Sequence, residues 1–290
     1  TIQGSPYQNI YLSAFNDFTF TNYQSSKIDY FPYLTLNEDR LEGEVDNKVG
    51  AEIFWKIDSS RQFNAAFNPD FGQVESDDVV VNFSASETFY SDKRPFFSEN
   101  HNLFNVQGSR FFYVINTRRI GASPDYNCSE DFPLQQELCA DSQKGANDID
   151  AAFRYTQQGE NFDVGFLGAF EANEKFSEGK DFYSARLRTK RDNLTVGYLG
   201  TYVNRPVIDR TAKVNALDFE YRPSSIRRLS GAILTSDVNG ETGYGFNLGY
   251  GHDPSKNRHN GVGVYYFDEN PYLYELRTIN EIHKFSILNK

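Results

Sequence analysis

Carboxylates crowd together in one short stretch of the first half of the chain, at Asp70, Glu75, Asp77 and Asp78. Oxygen ligands at this density could hold Ca²⁺, but the stretch lacks EF-hand spacing. Basic residues follow at Lys93, Arg94, Arg118 and Arg119. Because a buried charge without a partner is costly, we expect the two groups to form an ion-pair network. Solvated carboxylates are the alternative, and we predict no metal site.

Three glutamates are candidates, by residue type alone, for the paired carboxylates of a glycoside hydrolase: Glu75, Glu87 and Glu99. Carboxylate pairs arise by chance in an acidic chain, so this signal is weak. None of the four histidines accompanies a nucleophile motif such as GxSxG, and no phosphate-binding or dinucleotide-binding fingerprint is present. We therefore predict no catalytic residues, no cofactor and a protein that is not an enzyme.

The two cysteines, Cys128 and Cys139, lie in one polar, loop-like stretch. A local disulfide between them would place this loop in an oxidising compartment, and two free thiols are the alternative. Metal binding is not expected, because no histidine or further cysteine accompanies the pair.

The elements that must position these residues are strands. In the second half, apolar and polar residues alternate with period two, as in IDAAFRYT from Ile149 and LTVGYLGTYV from Leu194. Similar runs recur to the end of the chain, separated by short turns such as QQGE and RDN. In the first half, NIYLSAFNDFTFT, IDYFPYLTL, NKVGAEIFWKID and RQFNAAFNP also have the character of strands. No helix-period segment of convincing length appears, which excludes βαβ folds.

The composition favours a membrane barrel over a soluble sandwich. Aromatic residues make up 16% of the chain, yet the mean hydropathy is −0.62. No window approaches a membrane helix, but barrel strands need only every second residue to be apolar. The runs span about ten residues, against about five or six in soluble sheets. We predict an all-β antiparallel meander, a single outer-membrane β-barrel region over residues 1–290, with small and charged residues facing a wet interior.

Two segments interrupt this pattern. Residues 68–121 are dense in charged residues and phenylalanine with little alternation, and they would be costly facing lipid. We predict an irregular insert that plugs the lumen or sits at its rim, followed by a cysteine-containing loop at 122–147. Several insert aromatics could stack on sugars or pack the insert against the wall, and packing is the favoured interpretation: Tyr90, Phe96, Phe97, Phe111 and Phe112.

Three blocks of this insert resemble a bacterial family of outer-membrane proteins of uncharacterised function. They are NPDFGQVESD at 68–77, SETFYSDKRPFF at 86–97 and RRIG at 118–121. The family's blocks read approximately NPDFSQVEAD, FETFFPEKRPFF and FYSRRIG. Ser91 and Asp92 depart from the usual Pro and Glu. The resemblance implies a longer C-terminal barrel, usually preceded by a domain like carbohydrate-binding module family 9, and supplies no catalytic residues. It also implies that the barrel is incomplete in this chain.

The functional hypothesis is a porin-like barrel in the outer membrane of a Gram-negative bacterium. It would serve passage of a polar solute or surface display linked to saccharide handling. Its partners would be membrane lipid or detergent and a saccharide or other small polar solute. The net charge of −11 argues against nucleic acid. Candidate binding residues at the constriction are Asp70, Glu75, Asp77, Arg94, Arg118 and Arg119. The alternative is a soluble all-β carbohydrate-binding or adhesion domain.

Overall fold

The alternating runs form strands, because successive side chains of a strand point to opposite faces of a sheet. The computed structural model describes residues 26–39, 44–70, 92–107, 113–128, 138–140, 146–255, 258–268 and 286–289. The strands within them are Lys27–Asp39 (β1), Glu44–Lys56 (β2), Arg61–Phe67 (β3), Ile149–Gln158 (β4), Phe162–Glu171 (β5), Asp181–Arg191 (β6), Leu194–Arg205 (β7), Arg210–Ser224 (β8), Arg227–Val238 (β9), Glu241–Ser255 (β10), Arg258–Phe267 (β11) and Ser286–Asn289 (β12).

These strands form one antiparallel meander in which each strand pairs with its neighbours in sequence, in the order β1 to β12. Among the described residues, β1 and β12 each pair on one side only, so the sheet is not closed. The predicted all-β antiparallel meander is therefore confirmed, and the open sheet is consistent with an incomplete barrel. No helix in the described part of the chain has the length and apolar character needed to cross a membrane.

The connections differ between the two ends of the sheet. At one end, which we call the turn end, two to four residues join the strands: 57–60, 159–161, 192–193, 225–226 and 256–257. At the other, the loop end, the connections are 40–43, 68–148, 172–180, 206–209, 239–240 and 268–285. The tightest loop-end connection is Asn239-Gly240, where both residues have positive φ, 51° and 89°. A type I′ hairpin turn requires this conformation at both positions, which explains the Asn-Gly pair.

One face of the sheet, the outer face, is apolar and exposed. A continuous row of facing residues crosses it from β5 to β11: Val164, Leu187, Tyr198, Leu217, Ile233, Phe246 and Tyr266. Aromatic contacts form a second row, with ring centroids 5.6 Å apart for Phe170 and Tyr183 and 6.0 Å apart for Tyr183 and Tyr202. Cross-strand aromatic pairs of this kind stabilise a sheet.

The opposite, inner face is covered by the insert between β3 and β4. The insert contains a short helix, α1 (Pro95–Ser98), and 3₁₀ turns at His101–Phe104 and Thr117–Arg119. Among the described residues of the insert, Phe96, Phe97, Leu103 and Phe104 are buried, with Phe96 at 0% and Phe97 at 2% exposure. The insert is therefore plug-like, and the expectation of a wet inner face is wrong where the insert lies, because its apolar core displaces water from the wall.

Candidate functional site

In the part of the insert that the structure describes, one apolar core packs on the wall. Leu103 and Phe104 approach Gly165 of β5 so closely that a Cβ atom there would lie 3.0 Å and 2.9 Å from their side chains. On the wall, small and aliphatic residues complete this core: Ala152, Leu167, Ala169, Leu199, Ala216 and Leu234. These residues occupy alternate positions of strands whose other positions face outward. The inner face of the sheet is therefore complementary to the insert and does not line a water-filled channel where the insert packs.

An ion pair at the centre of this contact joins β6 to β8. The Arg186 guanidinium donates to both carboxylate oxygens of Asp218, at 2.5 Å and 2.9 Å, and both side chains are fully buried. Arg186 also donates to the backbone carbonyls of Leu103 and Asn105. Asp218 accepts the backbone N–H of Gln107 at 2.8 Å. Because these partners satisfy two buried charges and three backbone groups, the pair fastens the insert to the wall.

Gly197 of β7 makes room for this ion pair, which crosses the strand between its two partners. A Cβ atom on Gly197 would lie 2.7 Å from the Arg186 guanidinium and 2.7 Å from Asp218 Oδ1. Any larger residue would therefore push the two side chains apart. The glycine is required by this close approach and not by a turn.

A second anchor lies on β4. Arg154 is buried and donates to the carbonyl of Phe96 and, at 3.1 Å, to Glu99 Oε2. Its guanidinium lies 5.6 Å from the centroid of the Phe96 ring. Glu99 also accepts from Gln62 and Asn64 of β3. Glu99, one of the glutamates considered for hydrolysis, is thus engaged in holding the insert.

The tip of the insert reaches the turn end of the sheet. Asn100, with a left-handed φ of 53°, reverses the chain after α1. Its side chain donates to Thr156 of β4 and accepts from Gln158 at the last position of that strand. The insert enters at the loop end, so these contacts show that it runs along the full length of the wall.

Within the insert, Arg94 ties the two arms together. It pairs with Asp92 at 2.7 Å and donates to the carbonyls of Thr117 and Ile120 at 2.7 Å and 2.8 Å. Its guanidinium also lies 4.3 Å from the Phe97 ring centroid. Burial raises the pKa of Asp92, but hydrogen bonds and charge from Arg94 outweigh it, so this pKa lies below its ordinary value. The carboxylate is therefore held in its charged form.

A further group of contacts secures the insert at the loop end. Glu171 of β5 accepts the backbone N–H of Gly121 at 2.8 Å, and Lys180 donates to the carbonyl of Ser123 at 2.9 Å. Arg205 of β7 pairs with Asp125 at 2.6 Å. The hydrogen bond from Arg205 holds the pKa of Asp125 below its ordinary value, despite the opposing effect of burial. The chain that leaves the insert is thus fixed to β5, to the connection that follows β5 and to β7.

Of the acidic and basic residues that the sequence grouped together, the structure describes Asp70, Lys93, Arg94, Arg118 and Arg119, and the predicted ion-pair network stays a prediction. Asp70 accepts from the hydroxyl of Thr35 on β1 at 2.8 Å, and Arg94 pairs with Asp92. Arg118 and Arg119 lie on the 3₁₀ turn that follows Asn116. Glu75 and Asp77 lie outside the described residues. So do Asp78, Glu87, Tyr90, Phe111 and Phe112.

The two cysteines are joined in a disulfide, with their Cα atoms 5.7 Å apart. The segment that carries Cys128 lies against the loop end, where Asn127 donates its backbone N–H to the carbonyl of Phe176. The disulfide therefore joins Cys139 to a segment that lies at that end of the sheet.

Sequence reasoning missed the residues that hold the insert most firmly. Arg154, Arg186 and Asp218 stand at alternate positions of their strands and were interpreted as part of a hydrated wall. Their partners in the insert lie 55 to 111 residues away in sequence, in a segment without periodicity. The available signal was charge on the inner face at mid-strand, where a buried charge needs a partner. Among the described residues, this arrangement is suited to holding a plug.

Comparison with solved structures identifies OmpT, folded in vitro, an outer membrane protein of Vibrio cholerae. It shares 11% sequence identity, with 84% of this chain and 87% of that chain covered, and the TM-score is 0.31. No curated protein matches the sequence. A family model described as "Domain of unknown function (DUF5916)" matches residues 25–177, slightly more than half of the 290-residue chain. On this match, the chain belongs to the DUF5916 family.

Proposed function

We propose that this chain is part of an outer-membrane β-barrel whose lumen the insert closes, and that the barrel serves as a surface anchor. The observation that carries this proposal is the contrast between the two faces of one sheet. The outer face is apolar and uncovered, while the inner face is packed against a segment of the same chain. A soluble sandwich would cover its apolar face with a second sheet.

The outer face supports contact with lipid. Leu217 and Ile233 face each other across β8 and β9 and are 59% and 63% exposed. Such residues continue along the row that crosses β5 to β11. Contiguous exposed apolar surface of this extent marks a membrane or protein interface. The row has no break between strands, which fits lipid better than a local protein contact.

The strand dimensions also fit a bilayer. On β7, the outward residues run from Leu194 to Tyr202. At about 3.3 Å per residue, this stretch spans about 26 Å along the strand, or about 20 Å across a membrane at the usual barrel tilt. The apolar band of outer-membrane barrels is about 25 Å tall. The outward row and the band therefore have similar heights.

The packing of the insert favours a closed barrel over an open pore. Phe96 and Phe97 are buried, and the Arg186–Asp218 pair is shielded from water. Passage of a polar solute along β4 to β9 would require the insert to leave. That movement would expose the apolar core and the ion pair together. We therefore favour anchoring, with passage restricted to a state in which the insert is displaced.

Display of a saccharide-handling module is the role that we assign to the anchor. The resemblance of the insert blocks to proteins with a carbohydrate-binding-like N-terminal domain supports this role. Phe96 and Phe97 are buried against the wall and are not free to stack on a sugar. Saccharide binding is therefore expected in an attached domain and not in the insert core. The barrel itself is expected to perform no catalysis.

The experiment is outer-membrane fractionation of the full-length protein that contains this chain, with heat-modifiable gel mobility and planar-bilayer conductance. We expect outer-membrane localisation, a mobility shift on boiling and no steady conductance. Ile233→Arg should reduce insertion into lipid vesicles, because an arginine on the lipid face costs about 2–4 kcal/mol at the membrane midplane. Ser225→Arg, in an exposed turn, is the matched control.

Two results would contradict the proposal in different ways. In the first, the protein stays soluble without detergent and the Ile233→Arg variant folds normally. The barrel would then be rejected in favour of a soluble carbohydrate-binding or adhesion domain. A wild-type barrel with steady conductance would retain the membrane location but exclude a closed lumen.

A further inference from the structure

The two ends of the sheet are unequal, because the long connections between the described strands all lie at one end. Every connection at the turn end has two to four residues. Three loop-end connections are equally short, but the loop end also carries the nine residues 172–180 and the whole segment 68–148. Outer-membrane barrels have short turns on the periplasmic side and longer loops on the extracellular side. The connection lengths therefore carry information about direction across the membrane.

The path of the insert adds a second, independent observation. Its chain leaves β3 and enters β4 at the loop end, and contacts of Glu171 with Gly121 secure it there. Its tip, at Asn100, contacts Gln158 at the turn end. The insert is thus a loop-end connection that folds inward and reaches the opposite mouth of the wall. Barrels with plugged interiors are commonly filled by loops.

We propose that the loop end of the sheet faces the cell exterior and that the turn end, with the tip of the insert, faces the periplasm. This inference rests on the proposed membrane location and adds its direction. The segment that carries Cys128 would then lie on the exterior side. The tip residues Ser98 and Asn102, which are exposed, would form the surface available to periplasmic partners.

The test is labelling of single-cysteine variants of the full-length protein in a Gram-negative host. The reagent is a polyethylene-glycol maleimide too large to pass through porins. Glu178→Cys and Glu241→Cys report on the loop end, Glu160→Cys and Ser225→Cys on the turn end, and Asn102→Cys on the insert tip. All five positions are exposed. The parent protein without an added cysteine is the blank, and Cys128 and Cys139 of this chain are bonded to each other.

In intact cells, we expect labelling at residues 178 and 241 and none at 102, 160 and 225. Permeabilising the outer membrane should make the remaining three reactive. Labelling of the turn-end variants in intact cells, with protection of the loop-end variants, would overturn the direction and leave the barrel in place. Equal labelling of all five in a membrane-free soluble fraction would overturn the membrane location itself, and the direction with it.

Discussion

Removal of the Arg186 guanidinium should loosen the insert more than any exposed substitution on the same sheet. Arg186→Met leaves the Asp218 carboxylate buried without a counter-charge, and it deprives the carbonyls of Leu103 and Asn105 of their donor. Breaking a buried ion pair from one side costs about 3–5 kcal/mol. Asp218→Leu should reduce the free energy of unfolding by a similar amount, because it leaves the buried guanidinium without a counter-charge and the Gln107 N–H without an acceptor.

The double variant Arg186→Met/Asp218→Leu distinguishes the contribution of the ion pair to stability from the contribution of side-chain packing. The double variant leaves no buried charge without a partner. Its loss in free energy of unfolding should therefore be smaller than the sum of the two single losses by about 2–3 kcal/mol, the upper range for residues in direct contact. The matched control is Arg222 and Glu220, whose side chains are 57% and 15% exposed and 2.7 Å apart. A surface pair of this kind contributes about 0–1 kcal/mol.

The free energy of unfolding is measured by urea titration of the protein folded in detergent micelles, followed by circular dichroism. Hydrogen exchange at the Gln107 amide reports on the insert separately from the sheet. Strictly additive losses for Arg186 and Asp218 would refute the reasoning, because they would mean that the two groups do not stabilise each other. Unchanged exchange at Gln107 in Asp218→Leu would show that the pair does not hold the insert.

Three further predictions follow from neighbouring features. Gly197→Val should reduce the free energy of unfolding by about 1–3 kcal/mol through overpacking, whereas Gly249→Ala, whose Cβ would make only an ordinary contact of 3.9 Å with the Ser230 carbonyl oxygen, should change it little; urea titration distinguishes them. The depressed pKa of Asp92 stabilises the insert above the ordinary aspartate range, and this contribution should disappear as the pH falls through the folded-state pKa, seen as faster hydrogen exchange in the insert. Reduction of Cys128–Cys139 should increase proteolysis of that loop without melting the sheet.

Much of the sheet could be predicted from sequence because its signal is local. The run predicted from Ile149 became β4, Ile149–Gln158, and the run from Leu194 became β7, Leu194–Arg205. Alternation with period two identifies a strand and assigns its faces without knowledge of any partner. The turns between these strands are short, so each strand could only pair with the next.

The inner face could not be predicted in the same way. Asp218 looks like any other alternating polar residue, and its partner Gln107 lies 111 residues earlier. Arg94 was singled out, but its neighbour Asp92 was noted only as a departure from the family pattern. A hydrated wall and a wall that receives a plug have the same alternation. They differ only in contacts between segments that are distant in sequence, and the alternation of residues along a strand gives no information about such contacts.

The position of the insert in the chain has a consequence for assembly. Pairing β3 with β4 must close the segment 68–148, whereas most other pairs close only a hairpin. Loop-closure entropy makes this the slowest pairing of the meander from β1 to β11. The insert is synthesised before β6 and β8, which supply Arg186 and Asp218, so the later strands can form around a segment that is already present. The insert would then act as a template on which the wall is laid down, strand by strand.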